Sequence, residues 1–141
     1  MSMITLGVMD LERSAAFYEN VIGWKAAPGP SGIAFSDFGG VVFSLYPYVD
    51  LAKDMNAVAD DSRDFAYQGF ALAHNARSKE EVDFIFSRLK DNGATIIKEP
   101  EEVFRGGYSG YFSDPDGHSW EVAYNPHWVI QKDGRVSMTK D

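Results

Sequence analysis

The sequence predicts an α+β fold in which two βαβββ modules form a cupped mixed sheet with helices on its outer side. One observation is that each half of the chain shows the same order of elements, a strand, a helix and then two or three strands. A second is that Gly23 and Gly93, which end the two predicted helices, lie about half of the 141-residue chain apart. A doubly wound parallel sheet would instead need a helix between successive strands.

The first predicted strand and helix lie near the N-terminus. Apolar residues alternate with small or polar ones over residues 4–8, which is the period-two pattern of a half-buried strand. Asp10 offers a side-chain oxygen for a helix N-cap, and apolar residues recur at helical spacing until Gly23. Glycine suits the left-handed backbone position that closes a helix, so we expect the helix to end there.

The next segment predicts a β-hairpin. Two apolar runs, residues 33–38 and 41–46, flank the pair Gly39-Gly40, and glycine tolerates the positive φ that tight hairpin turns require. Pro47 ends the second strand, because proline has no N–H to donate to a sheet. The acidic stretch 49–66 predicts a solvated excursion that can hold a short helix.

The second half repeats this order. Residues 69–74 predict a strand, though a less regular one. Ser78 and Glu81 have the spacing of a capping box, in which each side chain accepts from an orphan N–H at the start of a helix. We expect that helix to end at Gly93 and a strand to follow at residues 94–98.

A last hairpin, residues 108–112 and 118–124, turns at Asp114-Pro115-Asp116-Gly117. If these four residues form the loop, the predicted cross-strand pairs are Ser113 with His118, Tyr111 with Trp120, Gly110 with Glu121, and Tyr108 with Ala123. Paired residues share a face of a sheet. Glu121 would then lie beside Tyr108 and small residues, while the bulky set that includes Tyr111 would pack against the helices.

Together these elements predict a single domain over residues 1–141. Module one spans about residues 1–48, a connecting segment about 49–66, module two about 67–126, and a C-terminal tail 127–141. The length suits one compact domain with its own core.

Composition narrows the function classes. Apolar residues make up 45% and charged residues 24%, which is ordinary for a globular protein. The formal charge of −8 disfavours nucleic-acid and anionic-membrane partners, and the absence of cysteine removes disulfides, thiolate metal sites and cysteine nucleophiles. No apolar run approaches the ~20 residues of a spanning helix, and the N-terminus lacks the regions of a signal peptide. We therefore expect a cytoplasmic protein.

Two segments carry a resemblance to a known superfamily. They are the opening TLGVMDLERSAAFY of residues 5–18, followed by Gly23-Trp24, and the closing YFSDPDGHSWEV of residues 111–122. Both resemble vicinal oxygen chelate proteins, which include glyoxalases, extradiol dioxygenases, and bleomycin and fosfomycin resistance proteins. The resemblance covers about residues 3–126. It implies the paired-module fold, a small organic ligand in the cup, and a homodimer.

The resemblance also implies positions for metal ligands. Metal-dependent members place His or Glu side chains at four strand positions, which fall here at Met3, at Ser44 or Leu45, at Gly69, and at Glu121. Only Glu121 matches. We therefore expect no metal and predict no cofactor, with a divalent metal disfavoured.

The three histidines do not restore a metal site in the sequence. His118 and Glu121 are three positions apart in a strand, so they point to opposite faces if the strand is regular. His74 has the parity of the large apolar residues, and His127 follows the last strand. A structural role is the more common interpretation of such residues: His118 as a polar hairpin residue and His74 as a hydrogen-bonding residue at the helix entry.

The candidate site centres on Glu121. A carboxylate aimed into the cup could act as a general base or anchor a ligand's amine or hydroxyl, and the alternative is a structural ion pair with a local Arg or Lys. Candidate ligand-binding residues are Thr5, Phe43, Arg105 and Tyr108. Arg105 could bind a carboxylate or phosphate through its guanidinium fork, and Phe43 could supply an apolar wall. The alternatives are a solvated arginine and a core phenylalanine.

Three functions stay open on this basis. The first is a metal-independent lyase or isomerase that uses Glu121 as its base. The second is a non-catalytic protein that sequesters a ligand or antibiotic. The third is a metal-dependent lyase or dioxygenase whose ligands occupy other positions. The sequence does not decide between an enzyme and a binding protein.

Overall fold

The computed structural model describes residues 1–60 and 67–138. The chain divides into two compact units, Met1–Tyr67 (unit 1) and Gln68–Asp141 (unit 2). Each unit contains a sheet with helical segments, which confirms the α+β class. In the described part of the chain, no helix is long and apolar enough to cross a membrane.

Unit 1 contains a three-stranded sheet. Its elements are β1 (Met3–Val8), α1 (Leu11–Ala16), which continues with π-helical hydrogen bonding over Phe17–Ile22, β2 (Ala34–Asp37), β3 (Val42–Pro47) and α2 (Tyr48–Asp54). The strand order is β1-β3-β2, with β1 parallel to β3 and β2 antiparallel to it. The predicted N-cap is confirmed, because the Asp10 side chain accepts from the Arg13 N–H at 3.0 Å.

Unit 2 repeats this arrangement with one more strand. Its elements are β4 (Leu72–Ala76), α3 (Lys79–Asp91), β5 (Thr95–Val103), a 3-10 turn (Phe104–Gly106), β6 (Gly107–Ser113), β7 (Ser119–Tyr124), and the short strands β8 (Val129–Ile130) and β9 (Val136–Ser137). The main sheet has the order β4-β7-β6-β5. As in unit 1, the first strand pairs in parallel with the last strand of the module. The internal repeat predicted from the sequence is therefore present.

The structure adjusts several predicted boundaries. The strand predicted at 69–74 is β4 at Leu72–Ala76, and β5 continues to Val103 rather than ending at residue 98. The Ser78 side chain accepts from the Glu81 N–H at 3.1 Å as predicted, but the Glu81 carboxylate accepts from the Arg77 N–H, one residue before the N-cap. The short helix expected within residues 49–66 is α2, and residues 61–66 of that prediction lie outside the described residues.

The register of the last hairpin differs from the prediction by one residue. Tyr111 pairs with Glu121, Phe112 with Trp120, and Ser113 with Ser119. The loop contains three residues rather than four, because the Asp114 N–H donates to the His118 carbonyl oxygen at 3.0 Å across a turn that ends at Gly117. Gly117 has φ of +83°, the left-handed conformation of the bulge that follows a type I turn in such hairpins. The four-residue loop, and with it the predicted pairing, was wrong.

The sheet of unit 2 has two different faces. Val82, Phe86 and Leu89 of α3 are fully or almost fully buried, as are Phe112, Trp120 and Val122 of the sheet. Gly110 lies on this face, where a Cβ atom would be only 2.7 Å from Cζ of Phe86. The helix thus covers the face of Trp120 and Val122. Residues of the opposite parity, including Glu121 and Tyr111, lie on the face that α3 does not cover.

Candidate functional site

A cavity of about 380 Å³ lies within unit 2, on the face of its sheet opposite α3. Small residues form its floor, which leaves room above the strands: Ala73, Gly107, Ser109 and Ala123. Larger residues, through side-chain or backbone atoms, line the rest of it: Asn75, Val103, Phe104, Arg105, Glu121, Tyr124, Asn125, His127 and Trp128. Its volume and its mixture of apolar and polar lining fit a small-molecule site.

Glu121 lies on this floor, at the centre of β7. It pairs with Ala73 of the parallel strand β4 on one side and with Tyr111 of the antiparallel strand β6 on the other. A side-chain hydrogen bond joins Tyr111 to Glu121. Burial raises the pKa of Tyr111, and the charge and hydrogen bond of Glu121 raise it further, against the opposing charge of Lys98. The Tyr111 hydroxyl therefore stays protonated near neutral pH and donates to the Glu121 carboxylate.

Lys98 provides a positive charge near this pair. It lies opposite Tyr111 in the pairing of β5 and β6, and its ammonium group is 2.6 Å from the Glu101 carboxylate. The hydrogen bond and charge of Glu101 raise the pKa of Lys98, and Tyr111 and Glu121 add smaller contributions. Lys98 is thus a nearby cation for the alternative in which Glu121 forms a structural ion pair. The ion pair that Lys98 makes at 2.6 Å, however, is with Glu101.

The segment that joins β5 to β6 lines the cavity on its solvent-exposed side, hereafter called the cavity mouth. Arg105 has φ of 62° and ψ of 30°, a left-handed conformation that residues with a side chain rarely adopt. Its carbonyl oxygen accepts from Nε2 of His127 at 3.2 Å, and its guanidinium group lies 5.3 Å from the centre of the Phe104 ring. Phe104 is 86% exposed, so its ring is available to a ligand. The structure therefore places the predicted residue Arg105 at the cavity.

Two asparagines contribute polar groups that the sequence prediction missed. Asn75 pairs with Ala123 in the β4–β7 register and so lies on the same face as Glu121. Asn125 follows β7, and its side-chain oxygen accepts from the His127 N–H at 2.9 Å. The parity of Asn75 relative to Ala73 is a signal that could have identified it from sequence, whereas the location of Asn125 depends on the path of the chain after the strand.

Tyr108 lies away from the predicted site. The corrected register pairs it with Tyr124, which puts it on the α3 side of the sheet. Its hydroxyl donates to the Asp83 carboxylate of α3 at 2.7 Å, and this hydrogen bond is the largest cause that raises the pKa of Tyr108 to about 12. The prediction that Tyr108 lies beside Glu121 was wrong because of the one-residue register error. Tyr111 occupies that place.

Thr5 and Phe43, the other predicted ligand-binding residues, belong to unit 1. The Thr5 hydroxyl is 2.6 Å from the hydroxyl of Ser44, its neighbour on the parallel strand β3. Phe43 is only 3% exposed and packs against the rings of Tyr18 and Trp24, with ring centres 4.9 and 5.3 Å apart. Phe43 is a buried core residue of unit 1, and the cavity that it lines there has a volume of only about 10 Å³.

The three histidines occupy different environments. His118 is buried in the hairpin, where its Nδ1 donates to the Asp114 carboxylate at 2.7 Å. His74 pairs with Val122 on the α3 side of the sheet, and burial lowers its pKa while the charge of Glu81 opposes that shift. Both locations agree with the structural interpretation. His127 differs, because it lines the cavity and holds the backbone of Arg105.

The positions that the resemblance assigns to metal ligands do not carry a metal-binding donor set. Met3 offers a thioether, the Ser44 hydroxyl bonds with that of Thr5, and Gly69 has no side chain and precedes β4. Glu121 is the one carboxylate at these positions. Over residues 1–60 and 67–138, no three His, Cys, Asp or Glu side chains converge as metal ligands. This set does not fit the imidazole and carboxylate ligation of Zn²⁺ or Fe²⁺ sites. Metal independence stays a prediction.

Comparisons with known proteins are consistent with this architecture. The sequence model of the Glyoxalase/Bleomycin resistance protein/Dioxygenase superfamily matches residues 1–122. A metallothiol transferase FosB from Lysinibacillus sphaericus is 30% identical over 118 residues, which cover 84% of this chain and 77% of the relative. A lactoylglutathione lyase from Salmonella typhimurium is 29% identical over 125 residues, which cover 83% and 86% of the two chains.

Solved structures resemble the chain over most of its length. A glyoxalase-related enzyme from Fulvimarina pelagi is 35% identical, with a TM-score of 0.88 over 99% of this chain and 97% of that one. The fosfomycin resistance protein FosX from Listeria monocytogenes is 27% identical, with a TM-score of 0.68 over 89% and 92% of the two chains. The names of these relatives cover more than one reaction, as expected of a scaffold whose chemistry depends on the site.

Proposed function

Because the chain belongs to the glyoxalase/bleomycin resistance protein/dioxygenase superfamily, we propose that its unit 2 cavity binds a small organic molecule and that Glu121 acts on it as a general base. The reaction would be a proton-transfer step of the lyase or isomerase type that needs no metal ion. One observation supports this proposal above the others. A carboxylate lies on the floor of an open cavity, among small side chains, with a tyrosine hydroxyl as its hydrogen-bond donor.

The proposed chemistry follows from this geometry. The Tyr111 hydroxyl donates one hydrogen bond to the Glu121 carboxylate, which leaves other lone pairs of the carboxylate that can accept a proton from the ligand. The ligand's acidic group, a C–H next to a carbonyl or a hydroxyl, would lie above Ala73 and Ala123, whose own side chains end at Cβ. A positioned general base of this kind contributes about 10²–10⁴-fold to a rate.

The same cavity also supports a second function, non-catalytic sequestration of a ligand. The exposed Phe104 ring and the Trp128 side chain offer apolar surface at the cavity, and binding through such surface needs no catalytic group. In this case Glu121 anchors an amine or hydroxyl of the ligand. A metal-dependent reaction, which the name metallothiol transferase indicates for the first relative, is the third candidate.

One substitution distinguishes the first two functions. Glu121→Gln preserves the size of the side chain and removes its ability to take up a proton. We expect a base to lose about 10²–10⁴-fold in turnover with little change in affinity, whereas a binding protein would lose affinity and show no turnover in either form. Glu102→Gln is the matched control, since Glu102 is exposed and pairs with Lys79 outside the cavity.

The probes come from the names of the relatives: fosfomycin, glutathione and lactoylglutathione. Calorimetry would measure their binding, and mass spectrometry their conversion, with and without a chelator. Elemental analysis of the purified protein would test the metal. A stoichiometric transition metal whose removal abolishes turnover would contradict the proposed metal independence and favour the third candidate.

We also propose that the protein forms a homodimer, as members of this superfamily often do. Light scattering coupled to size-exclusion chromatography would measure its mass. A mass of one chain, independent of concentration in the micromolar range, would contradict the proposal.

A further inference from the structure

We infer that the unit 2 cavity selects elongated ligands that carry an oxyanion at one end, bound by Arg105, and a hydrogen-bond donor such as an amine or hydroxyl at the other, bound by Glu121. This inference rests on the proposed function, since it takes the same cavity as the ligand site. It adds the chemical class of the ligand and the direction in which the ligand lies.

The backbone positions of the two charged residues are well separated along β6. Glu121 is paired with Tyr111, and Gly107 lies four residues before Tyr111 on the same strand. At ~3.3 Å per residue, the strand separates these two positions by ~13 Å. Arg105 precedes Gly107 at the mouth, and both Arg105 and Glu121 line the cavity. A ligand that contacts both must therefore extend along β6.

The surface between the two ends is largely apolar. Ala123 and Gly107 lie on the floor along this line, where Ser109 and Asn75 flank Ala123 as the polar exceptions. The side chains of Val103, Phe104 and Trp128 line the cavity beside them. All three of these side chains are substantially exposed, so they can cover the body of a ligand. An apolar or aromatic middle section fits this surface better than a chain of hydroxyl groups, which would lose hydrogen bonds to water there.

The backbone of Arg105 gives an independent reason to assign it a function. Its left-handed conformation favours glycine, yet the chain carries arginine there and places glycines at the next two positions. His127 holds this conformation through the hydrogen bond from its Nε2 to the Arg105 carbonyl oxygen. Strained backbone that the surroundings hold in place is common at ligand-binding sites. A ligand-binding role of the guanidinium group would account for an arginine at a backbone position that favours glycine.

The guanidinium group is chemically suited to an oxyanion. Within the described residues it lies over the Phe104 ring and forms no ion pair with a carboxylate. Its planar fork can donate two parallel hydrogen bonds to a carboxylate or a phosphonate. The chain has a net charge of −8, which repels anions in general. The positive charge of Arg105 at the cavity would attract the anionic group of a ligand locally.

The test uses four probes with the full-length protein. The bipolar probe is para-(aminomethyl)phenylacetate, and its phosphonate analogue replaces the carboxylate. Phenylacetate lacks the amine, and benzylamine lacks the oxyanion. Calorimetry or NMR titration at up to millimolar concentrations would give the affinities. We expect at least one bipolar probe to bind about ten-fold more tightly than either half, and the two bipolar probes identify the preferred oxyanion.

Variants of Arg105 separate binding from folding. Arg105→Gln should reduce the affinity of the bipolar probe to that of benzylamine. Arg105→Gly should do the same while the melting temperature stays equal or rises, because glycine relieves the left-handed strain. Arg135→Gln is the control, since Arg135 pairs with Asp133 in an exposed turn outside the cavity. Equal affinities for all probes, unchanged affinity in both Arg105 variants, or no binding of any probe would overturn the inference.

The outcome also distinguishes this inference from the proposed function. If Glu121→Gln abolishes benzylamine binding while Arg105→Gln leaves phenylacetate binding unchanged, the inference fails and the site at Glu121 stands. If Glu121→Gln leaves the binding of every probe unchanged, the inference fails, and the proposed function is then decided by the turnover of the same variant, which a general base requires to fall.

Discussion

Tyr111 lies directly opposite Glu121 on the neighbouring antiparallel strand, and a side-chain hydrogen bond joins the two. This pairing gives the carboxylate a hydrogen-bond donor from within the sheet, on the floor of the unit 2 cavity. The donor is itself affected, because the same contact raises the pKa of Tyr111. The contact can therefore be tested by substituting either residue and measuring the effect on the other.

We predict that Glu121→Gln lowers the pKa of Tyr111 toward its ordinary value of 10.0. The negative charge of Glu121 and its hydrogen bond both favour the neutral phenol of Tyr111. The substitution removes the charge and weakens the bond, so the pKa of Tyr111 should fall. Burial, the largest cause, remains, so part of the increase should persist. An NMR titration that follows the tyrosine ring carbons would measure the change, with Tyr111→Phe to assign the signal. Equal pKa values of Tyr111 in the two proteins would contradict the hydrogen bond.

Tyr108 provides an internal control for that titration. Its pKa is raised to about 12, chiefly by the hydrogen bond to Asp83 on the other face of the sheet. We expect Glu121→Gln to leave the pKa of Tyr108 unchanged and Asp83→Asn to lower it. If both tyrosines responded to Glu121→Gln, the effect would be a general change in the sheet rather than a contact.

His74 should make the protein less stable in mild acid. Burial lowers its pKa below the ordinary 6.5, with Glu81 opposing in part. Between the folded-state pKa and 6.5 the unfolded chain binds more protons, so the free energy of unfolding falls as the pH is lowered through that interval and then levels off. We predict that His74→Gln flattens this dependence in urea denaturation, while the control His127→Gln, at an exposed position, retains it. A steeper dependence in His74→Gln would contradict the assignment.

Two phenylalanines should separate the core from the cavity. Phe43 is buried in an aromatic cluster, so Phe43→Ala should cost about 3–5 kcal/mol of stability. Phe104→Ala removes a side chain that is 86% exposed and should change stability by less than about 0.5 kcal/mol. Chemical denaturation measures both. We also expect Phe104→Ala, and not a conservative Phe43→Leu variant, to weaken binding of an aromatic ligand. If Phe43→Leu weakened binding of the ligand and Phe104→Ala did not, Phe43 would again be a candidate ligand-binding residue.

The buried carboxylate of Asp114 should stabilise the last hairpin. One oxygen accepts from the N–H groups of Asp116 and His118, and the other accepts from the His118 ring. Asp114→Asn loses the bond to the ring and should cost about 1–3 kcal/mol, and Asp114→Ala, which loses all three, should cost more. Asp133→Asn is the control, since Asp133 makes similar bonds in an exposed turn. Equal losses at the two sites, measured by denaturation, would show that burial is unimportant here.

Only part of the candidate site followed from local patterns. Parity along a strand placed His74 on the helix side and Glu121 on the opposite face, and both placements are confirmed. Parity needs only the alternation of side chains about a strand. The prediction of the neighbour of Glu121 failed because it also needed the length of the turn. Gly117 adopts the left-handed bulge position, and a register shift of one residue exchanges the faces of all cross-strand partners. Tyr108 and Tyr111 were therefore exchanged.

The amino-acid sequence by itself determined the repeated order of strands and helices, because apolar periodicity, caps and helix-closing glycines act over a few residues. It also determined that Glu121 is the one matching residue among the four positions to which the resemblance assigns metal ligands. Tertiary structure decided what lies around that carboxylate and its cavity, since strand register places Tyr111 beside Glu121 and a strained turn brings Arg105 and His127 to the cavity lining. Both depend on contacts between residues that are distant along the chain, and no local pattern specifies them.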